Sequence, residues 1–226
     1  MLYLVPTPIG NLEDITMRAL NVLRDVDLIA CEDTRTSSKL LNHYNITTPK
    51  TSYHDHNERQ KTPQLIQKMK AGSDIALISD AGSPAISDPG FYLVRACREA
   101  DIDVIALPGP TALIPAITQS GLPANRFTFE GFLPVKKGRQ KRLGELKDES
   151  RTMIFYESPH RIVKTLQQFE EVFGAERPAA VARELTKAFE ETQVAPLGEL
   201  RKIFEAQNKV RGELVIVVEG GKKSQK

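Results

Sequence analysis

The sequence is short of cysteine and has no long apolar run, and each shortage removes a class of protein. Only two of the 226 residues are cysteine, Cys31 and Cys97, both in apolar surroundings. With no CxxC pair and no Cys/His cluster, they read as small buried hydrophobes in a reducing compartment, not as a disulfide framework or a zinc site. No apolar stretch approaches the ~20 residues that span a bilayer. Met1 to Val5 is apolar, but it lacks a basic flank and runs into Pro6, so it reads as a first strand and not as a secretory signal. A soluble, cytoplasmic chain is expected. Charge of one sign is also scarce, with 31 Lys and Arg against 29 Asp and Glu for a formal net charge of +2. That balance neither demands nor excludes nucleic acid, so a case for RNA has to come from where the charges cluster. The phosphate-binding GxxxxGK[ST] loop and the dinucleotide GxGxxG turn are both absent, as is any internal repeat.

What remains is an ordinary globular composition, 40% hydrophobic and 27% charged, long enough to bury one large core or two small ones. Short apolar runs alternate with helical spacing through the first half. Strands are predicted at 2–5, 28–31, 75–78 and 104–107, with helices over 15–26, around 65–69 and over 91–100. Strands separated by helices of this length imply parallel pairing through crossovers. Proline and glycine cluster from Pro108 to Pro123 around an apolar stretch, Ala112 to Ile117, which marks the passage to a second domain. There, strands are predicted at 127–132, 152–156, 179–182 and 214–218, and helices over 159–173 and 197–206. The fold class is therefore α/β with an N-terminal domain at 1–115, a C-terminal α/β domain at 116–220 and a disordered tail at 221–226.

Three loops leave predicted strands with unusual chemistry: Pro6 to Asn11, Ser79 to Gly90, and Pro108 to Ala112. Small residues let a ligand approach the backbone, and proline stiffens a loop before binding. Tight turns without any ligand use the same residues. Three such loops at one edge of an open sheet favour a cleft, because ligands of α/β sheets bind beyond the carboxyl ends of the strands. Composition and spacing stop at a small, nucleotide-like ligand.

The run Asp80-Ala81-Gly82-Ser83-Pro84 with Ser87-Asp88-Pro89-Gly90 resembles the second loop of the tetrapyrrole-methylase superfamily, the class III S-adenosylmethionine (SAM) methyltransferases. Five further motifs resemble its RsmI-type branch, whose members methylate a cytidine ribose 2′-hydroxyl in small-subunit (16S) ribosomal RNA. These are Pro6 to Leu12, Glu32-Asp33-Thr34-Arg35, His54 to Glu58, Pro108 to Ala112, and Arg183-Glu184-Leu185-Thr186-Lys187. They run in order over nearly the whole chain. The resemblance implies two α/β domains with a SAM cleft between them, and a homodimer. It assigns cofactor contacts to Pro8, Ile9, Asp80, Ala81, Gly82, Ser83, Ala85, Thr111 and Ala112, and in the second domain to Tyr156, Glu157, Leu185, Gly212 and Glu213. The first loop departs from the superfamily's usual glycine-rich form by carrying two prolines.

Methyl transfer from a sulfonium is an in-line displacement that needs alignment above all, and neither a metal nor a covalent intermediate is required. A 2′-hydroxyl is a poor nucleophile, so a base or a cation that stabilises alkoxide charge helps. Candidates at strand ends are Asp33, Arg35, Asp88, Glu184 and Lys187; pairing with each other or binding to RNA phosphates are the alternative roles. His54 and His56 alternate on an expected extended segment. Two histidines fall short of the three or four ligands of a metal site, and the motif places them on the substrate side. His43 and His160 read as surface or capping residues. Lys136, Lys137, Arg139, Lys141 and Arg142 form the one clear basic run, an expected RNA-binding loop that also fits a solvated helix start. Tyr53, Phe91, Tyr92 and Tyr156 are candidate stacking platforms for RNA bases. Two other functions compete with an RNA methyltransferase: a class III enzyme for a small molecule such as a tetrapyrrole precursor, and a nucleotide-binding module without turnover.

Overall fold

The most apolar runs, of four to six residues, become strands buried along nearly their whole length, while two of the sheet edges are shorter on apolar residues and half-buried. The computed structural model describes residues 1–221, so the expected tail lies outside the described residues except for Gly221. The chain separates into two units, Met1–Thr111 and Ala112 onward. In the first, β1 (Leu2–Leu4), β2 (Leu28–Cys31), β3 (Lys50–Ser52), β4 (Ile75–Ile78) and β5 (Val104–Ala106) pair in parallel in the order β3-β2-β4-β1-β5. All four residues of β4 are buried, as a doubly covered parallel strand requires.

Helices α1 (Met17–Asp25) and α2 (Thr34–His43) cover one face, where Leu20, Leu23 and Leu41 pack with Val5, Ile29 and Ile78. Helices α3 (Glu58–Lys70) and α4 (Phe91–Glu99) cover the other, where Leu65, Met69, Leu93 and Cys97 pack with Leu2 and Leu77. Each such side chain contributes about 1.5–3 kcal/mol when fully buried. Cys31 and Cys97 are both fully buried, and burial pushes the Cys97 thiol up to about 11 and raises Cys31 as well, so both are poor nucleophiles. Chain connections from β1 step toward β3 across one face, and those from β3 step back toward β5 across the other. The reversal falls at the neighbouring strands β1 and β4, where an α/β sheet opens a crevice at its carboxyl edge.

The second unit holds a mixed sheet in the order β6-β7-β10-β8-β9, made of β6 (Phe127–Phe132), β7 (Thr152–Glu157), β10 (Leu214–Val218), β8 (Pro178–Arg183) and β9 (Glu191–Pro196). The neighbours β6 and β7 pair in parallel, and the other described neighbours pair antiparallel. Helices α5 (Leu113–Gln119), α6 (Arg139–Leu146), α7 (Ile162–Phe173) and α8 (Leu197–Glu205) complete it, around a core that includes Phe155, Phe169 and Phe204. The division falls between Thr111 and Ala112, not at 115/116. The reason is that α5 packs on β10 and β8 and belongs to the second sheet.

Candidate functional site

Because all five strands of the first unit are parallel, every loop the sequence singled out there leaves the same edge. At the reversal point these loops are locked together. Thr7 N–H donates to the Gly82 carbonyl at 2.9 Å and Gly82 N–H to the Thr7 carbonyl at 2.8 Å, a two-bond bridge joining the loops after β1 and β4. The Thr7 hydroxyl donates to the Ser79 carbonyl at 3.0 Å, and the Ser83 hydroxyl to the Pro110 carbonyl at 3.3 Å. A Cβ on Gly109 would stand 2.9 Å from Pro6, so the loops after β1 and β5 touch through a glycine. Gly82 has φ +81, whereas a Cβ there would meet only Ile9, at 3.5 Å. Ala85 also sits at positive φ, +64, where a side chain is strained. Pro8, Ile9, Ser83 and Ala85 are half-buried, Gly82 is buried, and Asp80 and Ala81 are exposed. Thr7 is the residue that sequence reasoning missed. It lies inside a quoted motif, but its clamping role depends on β1 and β4 being neighbours.

The same edge concentrates carboxyl groups. Asp33 N–H donates to Asp80 Oδ1 at 3.2 Å, and Asp80 N–H to Glu32 Oε2 at 3.4 Å. Burial raises Glu32 above the usual carboxylate range, with Asp88, Asp80 and Asp55 adding repulsion. Burial likewise raises Asp88, a hydrogen bond from Ser79 partly offsets it, and Asp80 and Asp55 push it further up. Asp80 is raised by partial desolvation and by Asp33. Asp33 behaves in the opposite way. Its side chain caps α2, accepting from Arg35 N–H at 2.8 Å, and pairs with the Arg35 guanidinium at 2.9 Å, which lowers it to about 2. Arg35 itself is exposed and committed to that pair.

In the second unit, Arg183 to Lys187 stand at the end of β8 as expected, but their charges are spent on partners within the unit, Arg183 on Glu191 at 2.7 Å. Lys187 Nζ lies 3.0 Å from both Glu184 Oε1 and Glu213 Oε2. Burial alone would lower that ammonium, yet the two carboxylates raise it, and hydrogen bonding by Lys187 lowers Glu184. Glu184 and Thr186 adopt positive φ, +53 and +67. Gly212 has φ +83, and a Cβ there would collide with the Glu184 side chain. Leu185 is buried and Gly212 half-buried. Tyr156 is half-buried, edge-on to Phe129 at 5.0 Å. Thr111 and Ala112 are half-buried ahead of α5.

Glu157 is 3% exposed, and its carboxylate accepts from Ser158 N–H at 2.7 Å and Thr165 Oγ1 at 2.6 Å and pairs with Arg161 at 2.8 Å. It also faces Arg139 at 3.7 Å. That last contact corrects the reading of the basic run. Arg139 is only 6% exposed, and its guanidinium bonds Gln168, Pro134 and Thr165 inside the unit. It is a core cation and cannot reach a phosphate. The segment is also not a loop throughout, since α6 begins at Arg139. Arg142 pairs with Glu130 at 2.6 Å and with Glu145 at 3.0 Å. Lys136, Lys137 and Lys141 stay exposed.

The histidine motif is a turn into α3, not an extended segment. His54 Nε2 lies 3.1 Å from Asn57 Nδ2, and the His54 and His56 rings meet at 5.9 Å. His43 and His160 are exposed. Among the described residues, no group of three or more His, Cys, Asp or Glu is arranged to hold a metal ion. Of the candidate platforms, Tyr53 is fully buried with its hydroxyl 3.0 Å from Thr62, so it is core, while Phe91 at 70% and Tyr92 at 36% are exposed. No described helix is long and apolar enough to cross a membrane.

Known proteins with this arrangement point one way. The chain is 56% identical to "Ribosomal RNA small subunit methyltransferase I" of Vibrio cholerae over 97% of its length and 77% of the relative's. It is 53% identical to the protein of the same name from Escherichia coli O157:H7, over 98% of this chain and 78% of that one. Among solved structures, the methyltransferase CobJ superposes with a TM-score of 0.70 at 18% identity, covering 97% of this chain and 94% of that one. Uroporphyrin-III C-methyl transferase from Thermus thermophilus, complexed with S-adenyl homocysteine, superposes at 0.65 with 19% identity over 96% of each chain. At such identities the structures speak for the fold alone. The profile of the Tetrapyrrole (Corrin/Porphyrin) Methylases matches residues 1–201. Sequence and fold thus agree, and the chain belongs to the tetrapyrrole methylase family, among its small-subunit ribosomal RNA methyltransferase I members.

Proposed function

We propose that this chain is a SAM-dependent methyltransferase that modifies a cytidine ribose 2′-hydroxyl in small-subunit ribosomal RNA. The observation that carries the proposal is the interlocked trio of strand-end loops in a chain 56% identical to a ribosomal RNA small subunit methyltransferase I. A tetrapyrrole substrate is disfavoured by relatives of that name at this identity.

The residues present suit SAM. The loops 6–12, 79–90 and 108–112 contain no Lys or Arg but do contain Asp80 and Asp88, which favours a cationic sulfonium. Gly82 has no side chain, and a Cβ there would meet only Ile9, at 3.5 Å, so its backbone can be approached closely by a ligand. Pro8, Ile9, Asp80 to Ser83, Ala85 and Thr111 of the first unit would hold the cofactor. Ala112, Tyr156, Leu185, Gly212 and Glu213 of the second are carried over from the family resemblance, together with Glu157, whose saturated carboxylate leaves only its backbone for a ligand. When bound, SAM supplies an activated methyl group. The chain's own task is to align the acceptor oxygen, exclude water and take a proton.

Among the candidate bases, Asp33 and Glu184 are held ionised by cations and accept protons poorly. Asp88 is raised and uncommitted to a cation, so its carboxylate is the base of choice. Asp88→Asn is expected to lower kcat by about 10²–10⁴-fold. It should also raise the Tm. A carboxyl group whose folded pKa exceeds its unfolded value stabilises fully below the unfolded value and loses that stability as pH rises through the folded one. The native carboxylate therefore costs stability near neutral pH, and asparagine removes the cost. Calorimetry should show the gain at neutral pH and none below the ordinary carboxylate range.

The deciding assay supplies labelled SAM with small ribosomal subunits, free ribosomal RNA or a tetrapyrrole precursor. Label only in the tetrapyrrole would overturn the reading. In the same system, changing Lys136, Lys137 and Lys141 to Gln should flatten the slope of log affinity against log salt by about 2, at ~0.7 per single-strand phosphate contact, with SAM affinity unchanged. A homodimer and a cytoplasmic location belong to the same proposal, and sedimentation equilibrium tests the former.

A further inference from the structure

Beside Asp88, the first unit contains a cavity of about 620 Å³ between the N-terminal end of α3 and the length of α4, from Phe91 to Glu99. Its walls combine aromatic faces with carboxylates. Phe91 is 70% exposed at one side, and the Tyr92 ring carries the Arg59 guanidinium at 5.6 Å from its centroid. Asp55, Glu58 and Asp88 supply acceptors, while Arg95 is committed to Glu99 at 2.9 Å. The exposed Phe91 ring offers a flat apolar face on which a planar group can stack. The lining sets Asp55, Glu58, Asp88 and Glu99 against Arg59 and Arg95, a net acidic wall that accepts hydrogen bonds from an amino group, as Asp and Glu do from cytosine N4. A volume of this order holds a nucleoside comfortably, since small-ligand pockets start near 300 Å³.

We infer that this cavity is a subsite for the unstacked, amino-bearing base of the nucleotide being methylated, stacked on Phe91 and Tyr92 with its amino group on Asp55 and Glu58. The inference rests on the proposed RNA activity. The subsite adjoins Asp88, so a base seated there brings its own ribose toward the carboxylate assigned to take the proton. Lys136, Lys137 and Lys141 then serve the phosphate backbone, and the cavity serves the base.

Two measurements test it. With small ribosomal subunits as substrate, Phe91→Ala and Tyr92→Leu should each raise KM for subunits about tenfold, since one base–aromatic stack is worth ~1–3 kcal/mol. SAM affinity by calorimetry should not change. Phe91 is exposed, so its truncation leaves the core intact. Separately, fluorescence anisotropy should show labelled oligocytidylate binding about tenfold tighter than oligouridylate, whose O4 would face carboxylates. Glu58→Gln should shrink that preference. Wild-type methylation of subunits combined with an unchanged KM in both aromatic variants, or equal affinity for the two oligonucleotides, overturns the subsite and leaves the proposed function standing. Methylation of a tetrapyrrole alone removes both.

Discussion

Gly82→Val is expected to weaken SAM binding by about a hundredfold or more, roughly 2.8 kcal/mol at 1.4 kcal/mol per decade. Two effects add. Gly82 sits at φ +81 with both its N–H and its carbonyl bonded to Thr7, so the backbone cannot relax without opening the bridge between the β1 and β4 loops. A β-branched residue in that conformation is strained by at least ~1–2 kcal/mol. Its Cβ would also project toward Ile9, filling the space assigned to the cofactor. Gly72 separates strain from site. It has φ +99 with nothing within 4 Å of an added Cβ, and it lies beyond the C-terminal end of α3, before β4. Gly72→Val should lower the Tm by a similar amount and leave SAM affinity unchanged in calorimetry. Equal affinities in wild type and Gly82→Val would remove the cofactor from this crevice.

The elements visible in the sequence share a physical cause, and so do the hidden ones. Leu28–Cys31, Ile75–Ile78 and Leu214–Val218 have the bounds expected for them, because these interior strands read as nearly unbroken apolar runs. Phe127–Phe132 does too although β6 is an edge strand, because its three phenylalanines carry the signal. The strands that left no signal, Lys50–Ser52 and Glu191–Pro196, are the free edges β3 and β9, where polar side chains are tolerated and hydrophobic pattern disappears. Helix α2 was hidden for another reason. Its first turn, Thr34 to Ser37, is polar, and its start depends on the Asp33 cap. In the candidate site, proline and glycine marked all three loops. Their interlocking was not legible, because Thr7 meets Gly82 and Gly109 meets Pro6 only once strand order makes β4, β1 and β5 neighbours. Local charge spacing likewise marked Arg139 as one more surface cation, whereas its partners Glu157, Thr165 and Gln168 arrive from β7 and α7.

That burial makes Arg139→Met a stability variant and not a binding variant. The substitution keeps the aliphatic volume but removes three hydrogen bonds, to Gln168 at 2.7 Å, Pro134 at 3.2 Å and Thr165 at 2.6 Å. It also withdraws one of two cations facing the buried Glu157 carboxylate, leaving Arg161 at 2.8 Å. Breaking a buried pair costs about 3–5 kcal/mol, and the surviving Arg161 contact places the cost near 3. At about 2–4 °C per kcal/mol for a chain of this size, the Tm should fall by roughly 6–12 °C. Adding Glu157→Gln should recover part of the loss, since a neutral group tolerates the missing cation. The salt dependence of RNA binding should match wild type, in contrast to the Lys136, Lys137 and Lys141 variant. An unchanged Tm with a flattened salt slope would instead make Arg139 a phosphate contact, which its position beneath α7 forbids.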